Sequence, residues 1–268
     1  MITRAGTEPA PLATGGGNQV KINKKIILFL QGFLALHILW LLASLLLHTR
    51  VVPSPVAVYA HFGLFIEDNL LLHTLLSLFR VACGLVIALV AGFLAGYLMA
   101  RSERWNRLLN PLVYLTYPVP KTALLPVVML LFGLGDPSKI TVIALIVVFQ
   151  VIVVVRGAVM NIPAETYNYV KSLGATASQA FRHVTLPAIL PELLTNTKVS
   201  IGTALSILFF TEGYGTHWGL GYYILDAWTR IDYPAMYLGI LVIGLTGFGL
   251  FLGMDVLEER LCRWKHRG

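Results

Sequence analysis

Residues 163–191 read PAETYNYVKSLGATASQAFRHVTLPAILP, a polar interruption between two long apolar runs. Within it Tyr167, Val170, Gly174, Ala177 and Phe181 recur at alternating steps of three and four residues, which is the spacing of one helical face, with Leu173 and Ala180 beside it. A glycine inside a continuous helix costs about 1 kcal/mol relative to alanine, so Gly174 is expected at a turn between two short helices. An amphipathic helix pair of this kind has an apolar face to bury. It can lie on lipid at a membrane interface, or it can dock onto another protein.

The flanking runs place the stretch in a membrane protein. Of 268 residues, 57% are hydrophobic and only 12% charged, and the mean hydropathy is +0.76, far from the makeup of a soluble domain. A helix needs about 20 apolar residues to cross a bilayer. The chain accommodates spans at residues 26–47, 81–100, 112–134, 140–155, 188–210 and 236–254, with a tight turn at 135–139. Residues 1–25, rich in Gly, Pro and Thr, are expected to form a disordered arm, and 260–268 a basic tail, leaving a membrane domain over 26–259. The first run is too long for the apolar core of a signal peptide and reads as an uncleaved span.

Details within the runs carry further expectations. Residues 70–80 have a helical pattern with His73, Ser77 and Arg80 on one face and are expected at the interface before the second span. Gly92 and Gly96 in that span have the GxxxG spacing that lets another helix approach closely. Pro118, Pro120 and Pro126 interrupt the third span around Lys121. Broken backbone at membrane depth needs protein or a water-filled cavity beside it, so this span is a candidate cavity wall; a kink at the membrane edge with Lys121 snorkelling to headgroups is the competing reading. The fifth span is polar in its first half, with Glu192, Asn196, Lys198 and Ser200, and that half should face protein or water. Residues 211–233 mix Glu212, Gly213, Gly215, Gly219 and Gly221 with Trp218 and Trp228, which suits a short interfacial or re-entrant element.

The net charge of +7 does not imply nucleic acid, because the basic residues sit at the ends of apolar runs rather than in a patch interleaved with aromatics. With both termini in the cytoplasm, Arg4, Lys21, Lys24, Lys25, Arg101, Arg104, Arg107, Arg156, Lys171, Arg182, Arg260, Arg263, Lys265 and Arg267 fall on the cytoplasmic side, against Arg50, Lys139 and Arg230 outside. Cytoplasmic loops favour Lys and Arg, so residues 161–186 are expected in the cytoplasm.

No GxxxxGK[ST] is present, so energy from nucleotide must come from a partner. There is no HExxH, GxSxG or CxxC, and no catalytic residue is assigned. Cys83 and Cys262 make no disulfide framework, and the scattered histidines show no metal-ligand spacing and read as surface or interfacial residues. A stand-alone secondary transporter or channel would want buried carboxylates, for which Glu192 and Glu212 are the nearest candidates; a membrane enzyme with an unrecognised site is a further alternative.

In the opening stretch Gly174 is followed by nine residues and then Val184, Thr185, Leu186 and Pro187. This spacing resembles the signature of ABC importer permease subunits: E-A-A, three residues, G, nine residues, I, one residue, L-P. Asn168, Tyr169 and Val170 stand where that signature has its Glu and two Ala, so the docking contacts are expected to differ. The segments at 77–80 (SLFR), 118–120 (PVP), 123–126 (ALLP), 132–135 (FGLG) and 219–222 (GLGY) resemble the nitrate, sulfonate and taurine branch.

The resemblance implies an all-α membrane protein with the type I ABC importer permease fold, about six transmembrane helices, in the bacterial cytoplasmic (inner) membrane. It implies a homodimer embedded in lipid, a cytoplasmic ABC ATPase dimer that binds the ATP and Mg, an extracytoplasmic substrate-binding protein, and no cofactor or metal on this chain. The solute would be a small anion such as sulfonate, taurine or nitrate. Glu165, Asn168, Tyr169, Lys171, Ser172, Leu173, Gly174, Ala175 and Pro187 would couple to the ATPase. Tyr117, Lys121, Asn196, Lys198, Ser200 and Thr203, polar at membrane depth beside broken or small-residue backbone, are pathway candidates, with a structural role for Lys198 equally open.

Overall fold

The computed structural model of the chain describes residues 16–116 and 118–266 and divides into two units after Ala57. The first unit holds α1 (Gly16–Leu47), whose stretch Leu30–Leu47 is long and apolar enough to cross a membrane. Leu34 and Leu46 on this helix are exposed. The indole of Trp40 donates to the Pro53 carbonyl (3.0 Å) and Ser44 Oγ to that of Val52 (3.0 Å), which hooks the following segment back along the helix end. Residues 16–25, expected in a disordered arm, have helical backbone continuous with this span; the rest of that arm lies outside the described residues.

The second unit begins within the short helix α2 (Pro55–Ala60) and includes α3 (Leu64–Glu67). It is built on α4 (Leu70–Arg101), α5 (Glu103–Thr116), α6 (Leu125–Phe132) and α7 (Asp136–Met160). The loop helices α8 (Ala164–Ser172) and α9 (Ala177–Ala180) come next, then α10 (Leu186–Glu212), α11 (Leu220–Thr229) and α12 (Tyr233–Leu261). Among the described residues five helical segments are long and apolar enough to span, or six if the bent pair Glu103–Thr116 and Lys121–Phe132 counts as one.

Helices α4, α7 and α10 form the core, through Val81, Leu85 and Ala88 on α4, Val142, Val147 and Val151 on α7, and Ile201, Ala204 and Leu208 on α10. In lipid such packing rests on van der Waals contact rather than on the hydrophobic effect, so close backbone approach matters most. Glycines supply it. A Cβ at Gly84 would lie 2.6 Å from Ile143 Cγ2, one at Gly92 2.6 Å from Val151 Cβ, and one at Gly96 2.7 Å from the Ile152 carbonyl. The GxxxG pair therefore joins α4 to α7 of the same chain.

Some boundaries differ from the sequence expectation, whereas the third span breaks at its prolines as expected. Residues 70–80 do not form a separate interfacial helix but are the first third of α4, because His73, Ser77 and Arg80 find buried partners. Residues 136–139 are not a turn; Asp136 and Pro137 open α7, where a proline's missing donor is harmless. The third span breaks where Pro118 and Pro120 fall, and the two helices meet at 90°. Pro126 instead sits in the first turn of α6.

Candidate functional site

The interrupting stretch folds as two short helices about a turn. Gly174 occupies that turn at φ 81°, a left-handed conformation that glycine adopts without steric cost. A capping box starts the second helix: Thr176 N–H donates to Gln179 Oε1 (2.8 Å), and Gln179 N–H donates to Thr176 Oγ1 (3.3 Å). A π-helical turn, Phe181–Thr185, then leads into α10.

One face of the loop packs on the bundle. Phe181 meets Tyr97 edge to face, with ring centroids 5.1 Å apart, the Arg101 guanidinium lies 4.9 Å from the centre of the Tyr167 ring, and the Tyr167 and Thr185 hydroxyls are 2.9 Å apart. Tyr169 and Leu173, one helical turn apart, are 71% and 72% exposed. Leu173, placed beside the apolar face by periodicity, does not share that face's contacts with the bundle. Glu165, Asn168, Lys171, Ser172 and Gly174 are exposed with this pair, Ala175 is half-buried, and Pro187 lies apart in the first turn of α10.

The pathway candidates do not converge on one cavity. Tyr117 lies outside the described residues. Ser200 is buried and donates to Gln150 on α7 (3.3 Å), and Asn196, one turn earlier, is half-buried with its Nδ2 lacking a hydrogen-bond partner. Lys198 turns to α12, where it pairs with Asp255 and with Glu258 (2.6 Å). Thr203 is half-buried, its hydroxyl 3.4 Å from the Val199 carbonyl. Lys121 sits beside the break, its ammonium 5.0 Å from the centre of the Phe149 ring.

A buried ionic knot at the other end of the bundle escaped the sequence reading. Arg80 pairs with Glu212 (2.5 Å) and Asp136 (2.7 Å). Glu212, fully buried at the end of α10, also accepts from Ser77 Oγ (2.8 Å) and Gly221 N–H (2.8 Å). Arg80 donates to the Trp218 carbonyl (2.7 Å), Leu220 N–H to Ser77 Oγ (2.8 Å), and Gly219 N–H to His73 Nδ1 (3.1 Å). Buried charge is tolerable only when paired and hydrogen-bonded to this degree. His73 and Arg80, expected at an interface, are buried, and Glu212 is a structural carboxylate. Lys139, buried next to the knot, donates to the Leu134 carbonyl (2.6 Å). Close by, Tyr223 donates to Asp68 (3.0 Å); burial first, and the bond to Asp68 second, push its hydroxyl above the ordinary tyrosine range. The resemblance segments at 77–80 and 219–222 were the available signal, since both belong to this knot.

Comparison with known proteins fits this architecture. A family model described as "Binding-protein-dependent transport system inner membrane component" matches residues 88–263. The taurine transport system permease protein TauC of Escherichia coli (strain K12) is 32% identical over 75% of this chain and 73% of its own length. The formylaminopyrimidine transport permease protein ThiX of Halalkalibacterium halodurans is 27% identical over 88% of this chain and 94% of its own. A chain of the MetNI methionine ABC transporter, solved in inward-facing conformations, superposes with a TM-score of 0.62 at 19% identity, covering 72% of this chain and 95% of that one. Helix order, the Gly174 to Pro187 spacing and these matches together make the chain a member of the binding-protein-dependent transport system inner membrane component family, the permease subunits of ABC importers.

Proposed function

We propose that this permease carries a small anion of the sulfonate, taurine or nitrate kind, as one half of a homodimer in the bacterial cytoplasmic membrane. A separate ABC ATPase dimer binds the ATP and magnesium, and an extracytoplasmic binding protein delivers the solute. Both termini and residues 161–186 face the cytoplasm, as the Lys and Arg distribution favours. The observation that carries the coupling role is the exposed Tyr169 and Leu173 pair on a loop whose opposite face is fastened to α4 through Tyr97 and Arg101. A lever needs one face docked on the motor and the other fixed to the moving spans, and this loop offers both. The small-anion assignment draws on the taurine permease among the relatives. Of the two carboxylates nearest to serving a secondary-transport mechanism, Glu212 is already engaged by Arg80, Ser77 and Gly221, and Glu192 is exposed near the loop end of α10.

Replacing Tyr169 and Leu173 together by Glu should abolish copurification of the ATPase while the permease still purifies as a folded membrane protein. Full retention of the ATPase by that double variant would contradict the docking assignment.

A further inference from the structure

Among the described residues three buried side-chain atoms lack a hydrogen-bond partner: Asn106 Oδ1, Arg156 Nε and Asn196 Nδ2. Buried polar groups are nearly always paired, so each exception asks for a reason. Two of the three belong to one cluster. Arg156 on α7 donates from Nη1 to Asn110 Oδ1 on α5 (3.0 Å). Asn106 precedes Asn110 by one helical turn, about 6 Å, on the same face of α5. A guanidinium is a planar fork with donors on more than one edge, and an amide oxygen is an acceptor. One prong of the fork is therefore bonded, while a donor and the complementary acceptor one turn away both stand open.

The two sides of the cluster are held unequally. Arg156 sits where α7 is pressed against α4: a Cβ at Gly96 would lie 2.7 Å from the Ile152 carbonyl and 3.2 Å from Arg156 N. On α5 the buried residue is Val113, which packs with Met99 and Ile152 toward the end that meets the 90° break. Asn106 lies at the opposite end of α5, one turn in from the corner at Arg101 and Ser102. At that corner the Arg101 guanidinium stands 4.9 Å from the centre of the Tyr167 ring on α8. A displacement of the loop at Tyr167 therefore reaches the end of α5 that carries Asn106, with Val113 as the pivot. Arg80 and Lys198 are fixed by carboxylates, whereas Arg156 is held by a neutral amide, a weaker tie that a small movement can extend or exchange.

We infer that Arg156 is a two-rung latch between α7 and α5, made on Asn110 and open on Asn106, and that movement of the loop at Tyr167 makes the second rung. In the closed arrangement Arg156 Nε–H donates to Asn106 Oδ1, both buried groups are satisfied, and α5 is fastened to α7 along its length. The two open groups raise the free energy of the present arrangement relative to the closed one. That keeps the two arrangements close enough in energy for a push on the loop to select between them.

The latch rests on the coupling role proposed for the loop, so the test separates the two. Spin labels on Trp105→Cys and Val153→Cys, both exposed positions, in a background lacking Cys83 and Cys262, report the separation of α5 from α7 in the complex with its ATPase. Copurification of the ATPase with the otherwise unaltered permease supports the coupling reading; failure to copurify overturns it, and the latch with it. Addition of ATP and vanadate should shorten the label separation relative to the nucleotide-free complex. Asn106→Ala should lose that shift. Asn106→Asp, whose carboxylate draws the guanidinium more strongly, should show the short separation without nucleotide. In the nucleotide-free protein Asn110→Ala should lower the thermal unfolding midpoint by several degrees, and Asn106→Ala should leave it unchanged. The latch is overturned, with the coupling reading left in place, by any of three results in a complex that retains its ATPase: no shift with ATP and vanadate, a full shift in Asn106→Ala, or an equal loss of midpoint in both alanine variants. An unshortened separation in nucleotide-free Asn106→Asp overturns it as well.

Discussion

Glu212 illustrates what a single residue contributes here and why its role was hidden in the sequence. Its partners Ser77 and Arg80 are 135 and 132 residues away, so nothing local marks it as paired, and a carboxylate near the end of an apolar run could equally have faced headgroups. Folding removes it from any solvent and surrounds it with donors. Breaking a buried pair by removing one partner costs about 3–5 kcal/mol, because a charge is left uncompensated. Glu212→Gln should accordingly lower the thermal unfolding midpoint of the detergent-purified protein by many degrees. Gly219→Ala should do the same, since Gly219 has φ 129° and an added Cβ would overlap the Glu212 carboxylate. An unchanged midpoint in both variants would show that the knot is not structural. Gly174 was legible by contrast, because a turn between amphipathic segments is a local property and its left-handed φ is where glycine is needed.

At the level of elements, the apolar runs disclosed the spans because membrane crossing imposes a length and a composition that few other structures share. The prolines disclosed the break for an equally direct reason: Pro118 and Pro120 lack the donors a helix would use. Helix ends were less legible. α4 begins eleven residues before its expected start (70 rather than 81), and α7 four before (136 rather than 140), since the polar residues that looked like boundaries are satisfied by tertiary contacts. The glycine spacing on α4 foretold close packing but not its partner, which is α7. Gly92→Leu would force side-chain atoms into Val151 and the Val148 carbonyl, 2.6 and 2.9 Å from the added Cβ; overpacking of a core costs about 1–3 kcal/mol, and backbone in the way makes it harder to relieve. The variant should unfold several degrees lower and yield less folded protein, with Gly92→Ala milder. Wild-type stability of Gly92→Leu would mean that α4 and α7 are not held by this contact.

For the molecule as a whole, sequence, structure and comparisons agree on the permease subunit of an ABC importer, for which we propose a path and a lever driven by a partner. The three core helices are tied at one end by the Arg80 and Glu212 knot, and the loop is fastened at the other through Tyr97, Arg101 and Thr185. Under the proposed coupling role, these contacts would carry a push on the loop to α4 and α10. The pathway was the least legible part, because a polar residue in a span looks the same whether it lines a channel or clamps two helices, as Lys198 does. Reconstitution in proteoliposomes tests energy coupling most directly: uptake of a radiolabelled small sulfonate is followed with the ATPase, ATP or the loaded binding protein left out one at a time. Uptake should require all three and collapse when any is missing. Uptake by this chain alone under an imposed proton gradient would contradict it.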